Sequence, residues 1–193
     1  MQMTMRWYGS QYDTVTLQQI RQTAYVKGVI STLYNKMPGE LWTYEEIMAL
    51  KNEVEAAGLT LPGIESVNIS DAIKTGAPER DKDIDAYIKT LENLGKADIH
   101  MVCYNFMPVF DWTITQLDHE LEDGSTSLVY YQEQVDKVNP LESDSDLTLP
   151  GWDASYTREE LKSVVAEYNA MSEDDLWNNL QYFLEKIIPV AAE

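Results

Sequence analysis

The sequence has a single cysteine, Cys103, so it can form neither an internal disulfide nor a metal site made of several thiolates. No apolar run approaches the roughly 20 residues that a membrane-spanning helix needs. The segment Met1 to Gly9 lacks the basic region and apolar stretch of a signal peptide. We therefore expect a protein of the reducing cytoplasm.

Basic residues are also scarce. The chain has 14 Lys and Arg residues and 33 Asp and Glu residues, which gives a formal net charge of −19. Such a field repels phosphate backbones and anionic lipids, so we expect no nucleic-acid partner and no membrane partner. The acidic segment 142–146 is typical of solvated surface, and its role stays open. An anionic substrate would need a local basic group to offset this field.

Common catalytic motifs are missing as well. The chain has no Gly-rich dinucleotide motif, phosphate-binding loop or nucleophile elbow. Its two histidines, His100 and His119, do not form a ligand pair at helical spacing. We expect His100 at the start of a strand, away from a site, and His119 in solvent. Cys103 lies in an apolar run and is predicted to be a small core residue.

Short apolar runs alternate with longer amphipathic ones. The short runs predict four strands, because they are rich in β-branched and aromatic residues. These strands are Met5 to Tyr8, Val29 to Tyr34, Ile64 to Val67 and Ile99 to Tyr104. Strands separated by helices predict parallel pairing with right-handed crossovers, hence an α/β fold. The pattern alone does not distinguish a barrel from an open sheet.

Helix signals lie between and after these strands. Thr43 and Thr157 each begin a capping box, in which a glutamate follows three residues later. A further helix is predicted from about Asp81 to a stop at Gly95, and a weaker one from about Thr16. In the last helix, after Ser172, Pro189 should end or kink the helix.

The connection 106–156 has no convincing regular element, apart from a turn at 122–125 and a weak pattern near 129–138. Connections this long are usually functional or disordered. A lid, an oligomer contact and a plain insertion all remain open. We predict that residues 1–193 form one domain that contains this long loop.

Polar and aromatic side chains stand at the end of each predicted strand. They are Arg6-Trp7-Tyr8, Tyr34-Asn35, Glu65-Ser66 and Tyr104-Asn105. In a parallel α/β fold these ends meet at one rim, which favours a polar pocket. For any one residue, a structural hydrogen bond explains the position equally well. The planar fork of Arg6 matches a carboxylate, so Arg6 could offset the acidic field.

Three stretches resemble the motifs of mannonate dehydratases, in the same order. They are Arg6 to Gly9, Ile64 to Val67, and Val102 to Val109 continuing into Asp111-Trp112-Thr113. Shorter matches extend the likeness to Asn178. They include Pro38-Gly39-Glu40 with Trp42, Thr90 to Leu94, Asp123-Gly124-Ser125, Leu149 to Trp152 and Asp175 to Asn178. The likeness therefore covers essentially the whole chain.

The resemblance implies a metal-dependent hydro-lyase on a (β/α)₈ barrel of the xylose-isomerase-like group. Such enzymes convert D-mannonate to 2-keto-3-deoxy-D-gluconate and water in bacterial hexuronate breakdown. Mn²⁺ or Fe²⁺ would stabilise the negative charge that develops as a base removes the C2 proton and an acid assists loss of the C3 hydroxyl. The predicted substrate-binding residues combine strand-end positions with these motifs; the base is not identified. They are Arg6, Trp7, Tyr8, Glu65, Asn105 and Asp111.

The sequence departs from the family in length. A complete barrel takes about 250 residues, and only four of eight β/α units are predicted here, a half-barrel. The family's metal ligands, a histidine and cysteine set with a carboxylate, are expected beyond Glu193, so we expect no metal ligand in this chain and no turnover by it alone. Ile114 and Ser70 also stand where the family commonly has arginine and histidine.

Two alternatives remain. A non-catalytic half-barrel could pair with itself or another chain, because four units leave open sheet edges and an uncovered core face. A homo-oligomer is expected for this reason. Another sugar isomerase or epimerase of the same barrel group is less favoured, because the run from Cys103 to Trp112 is specific.

Overall fold

The computed structural model describes residues 2–109, 114–136 and 157–193. These residues belong to two compact units, Met1–Phe106 with Glu173–Glu193, and Met107–Ser172. The strands are β1 (Met3–Arg6), β2 (Val26–Ser31), β3 (Thr60–Glu65), β4 (Val102–Cys103), β5 (Gln116–Glu120) and β6 (Thr126–Val129). The helices are α1 (Leu17–Gln22), α2 (Tyr44–Ala56), α3 (Asp71–Thr75), α4 (Arg80–Lys96), α5 (Gln132–Val135), α6 (Arg158–Asn169) and α7 (Glu173–Ala191).

The first unit contains a four-stranded parallel sheet in the order β1-β2-β3-β4. Its helices follow the strands in sequence, as right-handed β/α units require. The prediction of an α/β fold with four parallel strands is therefore confirmed. The fourth strand is shorter than expected, because pairing is confined to Val102 and Cys103 beside Ile64 and Glu65.

Helix beginnings follow the predicted capping chemistry. Thr16, Thr43 and Thr157 each form a full capping box, in which the threonine oxygen accepts an N–H and the side chain three residues later returns the bond. Helix ends were harder to predict. Helix α4 runs through Gly95 to Lys96, and Asp98 rather than the glycine takes the left-handed conformation, with φ of 59°.

Helix α7 packs its apolar face on the rest of the first unit. Phe183 is fully buried, and its ring meets Tyr87 of α4 edge-on at 5.1 Å between centroids. Asn179 donates to the carbonyl of Lys74 at 3.0 Å, which ties α7 to α3. Pro189 was expected to end or kink this helix. The proline does not end the helix, since helical structure continues to Ala191. A proline so near the end of a helix removes only one late hydrogen bond.

Two buried polar side chains of α4 hold the connection that precedes α2. Thr90 is fully buried, and its hydroxyl accepts the backbone N–H of Trp42 at 3.1 Å. Asn93 donates to the Trp42 carbonyl at 2.8 Å. Both backbone groups of a buried tryptophan are thereby satisfied, which anchors the connection after β2 to a helix that is the fourth element further along the chain.

The second unit contains an antiparallel hairpin of β5 and β6, in which Gln116 lies opposite Val129. Its turn is at the predicted place. Gly124 has φ of +80° and Ser125 bonds to Asp123. We expected no regular structure across 106–156, and the described part of that connection contains this hairpin and α5. Residues 110–113 and 137–156 lie outside the described residues, and the single-domain organisation stays a prediction.

Among the described residues, no helix is long and apolar enough to cross a membrane.

Candidate functional site

The carboxyl ends of β1 to β4 lie along one edge of the parallel sheet, here called the rim. Arg6 and Glu65 are the last residues of β1 and β3, and Cys103, the last of β4, is the register partner of Glu65. This edge is where α/β proteins assemble their binding sites. The predicted convergence of strand ends is therefore the observed arrangement for Arg6 and Glu65.

Two hydroxyl groups at the end of β2 brace the rim. Ser31 donates to the carbonyl of Trp7 at 2.7 Å, and Thr32 donates to the carbonyl of Ser66 at 2.7 Å. Ser31 is fully buried and Thr32 nearly so. Because one bond reaches the β1 side and the other the β3 side, neutral short side chains add a link between β2 and each of the strands that carry Arg6 and Glu65.

Arg6 is the central charge of the rim. Its Nη2 donates to the Tyr34 hydroxyl at 2.9 Å, and its Nη1 lies 3.2 Å from Oε2 of Glu65. The second contact is an ion pair by distance, but its angle does not make a hydrogen bond, and Nη1 and Nε are both buried without a hydrogen-bond partner among the described residues. Such donors are suited to an acceptor from a ligand.

Aromatic rings surround this guanidinium. Its carbon lies 5.1 Å from the centre of the Tyr8 ring and 6.0 Å from that of Tyr34. The Tyr34 ring in turn contacts Tyr8 and Tyr12, with centroids 5.9 and 5.5 Å away. Ring faces attract a cation, so the two tyrosines stabilise the guanidinium in a partly apolar setting.

Tyr8 is half exposed, and its backbone N–H donates to Asp13, which also accepts from Val15. Asp13 thus shapes the loop after β1, where Gly9 has φ of +85°. Burial raises the pKa of Tyr34, and the hydrogen bond from Arg6 opposes this only in part. Tyr34 therefore keeps its proton at neutral pH and remains a neutral partner of Arg6.

Trp7, another predicted substrate-binding residue, lies in the hydrophobic core. Its side chain is 2% exposed, and its indole N–H has no hydrogen-bond partner among the described residues. Its backbone N–H donates to Ile30, so the strand pairing extends one residue past Arg6. Since successive strand residues point to opposite faces, the side chains of Arg6 and Trp7 separate.

Asn105 follows β4 and is half-buried. Asp111 lies outside the described residues. The part that each of the six predicted residues plays in binding stays a prediction.

Cys103 differs from its predicted core role, because it is only partly buried and stands at the rim. Burial raises the pKa of its thiol, the nearby Glu65 charge adds to this, and Arg6 opposes it. The sulfur is therefore protonated at neutral pH and a poor nucleophile.

The two histidines belong to different units. His100 is on the surface, 2.8 Å from Asp98, as expected of a residue outside the site. His119 was predicted in solvent. It is instead half-buried in β5, where its ring meets that of Tyr131, just after β6, at 5.8 Å between centroids.

Ser70, one of the departures from the family pattern, is the N-cap of α3 and donates to Asp83 at 2.6 Å. Within residues 2–109, 114–136 and 157–193, no group of three His, Cys, Asp or Glu side chains could hold a metal ion. These residues do not fit the Mn²⁺ or Fe²⁺ that the resemblance implies. The rim does present the positively charged guanidinium of Arg6, whose chemistry matches that of an anion.

Sequence reasoning missed the partnership of Tyr34 and Arg6. Tyr34 was noted at a strand end, but it was not among the predicted site residues. Arg6 pairs in register with Ile30, and Tyr34 lies four residues further along. The only sequence signal for this contact was that both residues stand at or near the ends of neighbouring strands.

Comparison with known proteins shows which family this chain resembles. Residues 1–193 match the family model described as D-mannonate dehydratase (UxuA). The chain is 49% identical over 193 residues to mannonate dehydratase 2 of Halalkalibacterium halodurans and 47% identical to the mannonate dehydratase of Oceanobacillus iheyensis. These alignments cover all of the chain and 55% and 54% of the two relatives.

The fold is also similar to a crystal structure, that of mannonate dehydratase from Streptococcus suis serotype2. The TM-score is 0.86 at 40% sequence identity, and the match covers all of this chain and 50% of that one. The chain therefore spans about half the length of the relatives that it matches.

Proposed function

The chain belongs to the mannonate dehydratase family, and we propose from this membership that it supplies the substrate-facing part of a site where D-mannonate loses water. The product would be 2-keto-3-deoxy-D-gluconate. The divalent cation, Mn²⁺ or Fe²⁺, would be held by residues outside this chain.

One observation carries the proposal for this chain's own residues. In a chain of formal net charge −19, Arg6 stands at the sheet edge where binding sites form, with buried donors that have no hydrogen-bond partner among the described residues. A guanidinium fork binds a carboxylate through two parallel hydrogen bonds. Arg6 would therefore take the carboxylate of D-mannonate, against the repulsion of the acidic surface.

The neighbouring side chains would orient the rest of the substrate. Tyr8 offers an exposed ring beside Arg6, and Asn105 offers an amide that can both donate to and accept from a sugar hydroxyl. Glu65 balances the charge of Arg6 before substrate arrives.

A chimera tests the proposal directly. We would join these 193 residues to the remaining part of the Oceanobacillus iheyensis enzyme and follow formation of the 2-keto product from D-mannonate. The chimera should be active, and Arg6→Met should lower kcat/KM by about ten- to a hundredfold, as expected when a charged hydrogen-bonding group is lost. Arg21→Met, on the exposed surface of α1, is the control and should change little.

The 193-residue chain by itself should form no product. Turnover by the purified chain would contradict the assignment of the metal ligands to residues outside it. A folded chimera that binds Mn²⁺ but leaves D-mannonate unchanged would contradict the proposed reaction.

A second candidate is a half-barrel that pairs with its own copy. Met3 and Met5 of β1 are 61% and 37% exposed, and Met101 beside β4 is 46% exposed, so apolar side chains lie open at both outer strands of the sheet. Exposed edges with apolar side chains invite pairing. Sedimentation of the chain should then show a dimer, whereas a stable monomer would contradict this candidate.

A further inference from the structure

We propose that Tyr34 is a positioning residue, which holds the Arg6 guanidinium in the orientation that receives a sugar-acid carboxylate. The proposal rests on the function proposed above, because it concerns how that same site recognises its ligand. It assigns to Tyr34 no contact with the reacting atoms.

The geometry provides two separate restraints on Arg6. The Tyr34 hydroxyl accepts a hydrogen bond from Nη2 at 2.9 Å, which fixes one end of the planar group. The rings of Tyr8 and Tyr34, 5.1 and 6.0 Å from the guanidinium carbon, restrict its rotation from the sides. Arginine has many rotamers, so a ligand that meets a fixed guanidinium avoids much of the cost of ordering it.

Tyr34 is itself held in place. Its ring contacts Tyr12 at 5.5 Å and Tyr8 at 5.9 Å, and its edge lies 3.8 Å from the point where a side chain on Gly9 would begin. A residue that is packed on several sides can transmit a fixed position to its hydrogen-bond partner.

The chemistry of the two partners of Arg6 explains why a tyrosine suits this role. A phenol that keeps its proton orients the guanidinium without cancelling its charge. Glu65 does carry an opposite charge, but its side chain is 55% exposed and solvent weakens the ion pair. An incoming carboxylate could therefore replace Glu65 at Nη1, while Tyr34 continues to hold Nη2.

The guanidinium would then present Nη1 in a fixed direction. This nitrogen is buried and lacks a hydrogen-bond partner among the described residues. A carboxylate that replaces Glu65 would find this donor already oriented.

Side-chain NMR of the nitrogen-15-labelled chain tests this positioning without any ligand. Arg6 is one of four arginines, so its signals can be assigned by their loss in Arg6→Lys. A guanidinium fixed at Nη2 rotates slowly and gives separate Nη1 and Nη2 signals. Tyr34→Phe removes only the hydroxyl, and these signals should merge, whereas they should persist in Tyr25→Phe, whose ring is 86% exposed.

Calorimetry with D-mannonate provides the second measurement. Tyr34→Phe should weaken binding by about five- to tenfold, the effect expected of one lost hydrogen bond. Tyr25→Phe should bind as the unmodified chain does. Thermal unfolding of each variant checks that the variant is folded.

The outcomes separate the two proposals. If the Arg6 signals are unchanged in a folded Tyr34→Phe chain, the positioning role is wrong. If those signals merge as expected but the unmodified chain binds no D-mannonate, positioning is supported and the proposed ligand of this chain is contradicted. If Tyr34→Phe does not fold, the spectrum of the unmodified chain provides the test. Averaged Nη1 and Nη2 signals of Arg6 in that spectrum would also overturn the positioning role.

Discussion

The Arg6 guanidinium and the Glu65 carboxylate, at the ends of β1 and β3, form an ion pair of 3.2 Å across the intervening strand β2. The two residues lie 59 positions apart in the chain, and the register of the parallel sheet brings them together. A single neutralising substitution therefore changes the charge of the rim without changing the strands.

On the proposed binding mode, Glu65→Gln should tighten binding of D-mannonate. The substitution removes the carboxylate that competes for Nη1, and exposed ion pairs are worth up to about 1 kcal/mol, so the affinity should rise by about two- to fivefold. Calorimetry measures this change, and unfolding stability should alter little. Glu92→Gln, which breaks the surface pair with Lys89, is the control and should leave affinity unchanged. Weaker binding in Glu65→Gln would mean that Glu65 itself holds the substrate.

Phe183→Ala should strongly destabilise the first unit. The side chain is fully buried against Tyr87, and removing a buried phenylalanine typically costs about 3–5 kcal/mol. Denaturant unfolding gives the free energy. Trp177→Ala on the same helix is the control, because that ring is 61% exposed and should cost less than about 1 kcal/mol. Equal losses in the two variants would contradict the packing of α7.

Thr90→Val should destabilise the first unit, because it leaves the backbone N–H of Trp42 without an acceptor rather than because it removes volume. Valine has nearly the shape of threonine, but it cannot accept the Trp42 N–H, and a buried unpaired donor costs about 1–3 kcal/mol. The exposed Thr14 offers the matched control, Thr14→Val. If the two variants unfold at the same denaturant concentration, Thr90 does not anchor the connection after β2.

Acid should selectively remove the contribution of Glu46. Its hydrogen bond and ion pair with Lys36, at 2.8 Å, lower the pKa of this carboxyl below its ordinary 4.5. A lowered folded-state pKa means that the stabilisation is complete above about pH 4.5 and is lost as pH falls through the folded value. Glu46→Gln keeps the capping box and removes the charge.

The free-energy difference between the parent chain and Glu46→Gln should therefore be constant near neutral pH and shrink below about pH 4.5, the ordinary pKa of this carboxyl. Urea unfolding across this range measures it. Glu45→Gln, the exposed neighbour, provides the comparison. A difference that stays constant down to pH 2 would show that the charge of Glu46 does not contribute to stability.

Local chemistry made much of the fold predictable. Thr43 and Thr157 begin capping boxes because a hydroxyl followed three residues later by glutamate satisfies free N–H groups within one turn. The apolar runs of the four strands are equally local signals. Both depend on neighbours in the sequence, so they need no knowledge of the rest of the molecule.

The features that were missed depend on distant pairing. Strand β5 contains Asp118, His119 and Glu120, so its composition does not indicate a strand until β6 pairs with it. The bond between Tyr34 and Arg6 requires the register of β1 on β2 and the path of the loop after β2. Trp7 illustrates a further difficulty, because adjacent residues of one motif can face the rim and the core.

The Ser31 and Thr32 hydroxyls have a consequence for how such a site could change over generations. Because neutral groups brace the strands, the frame of the rim is independent of the charges mounted on it. Substitutions at Arg6 or Glu65 would leave the scaffold standing. On the proposed binding mode, replacing these two side chains would change which ligand the rim binds without rebuilding the sheet.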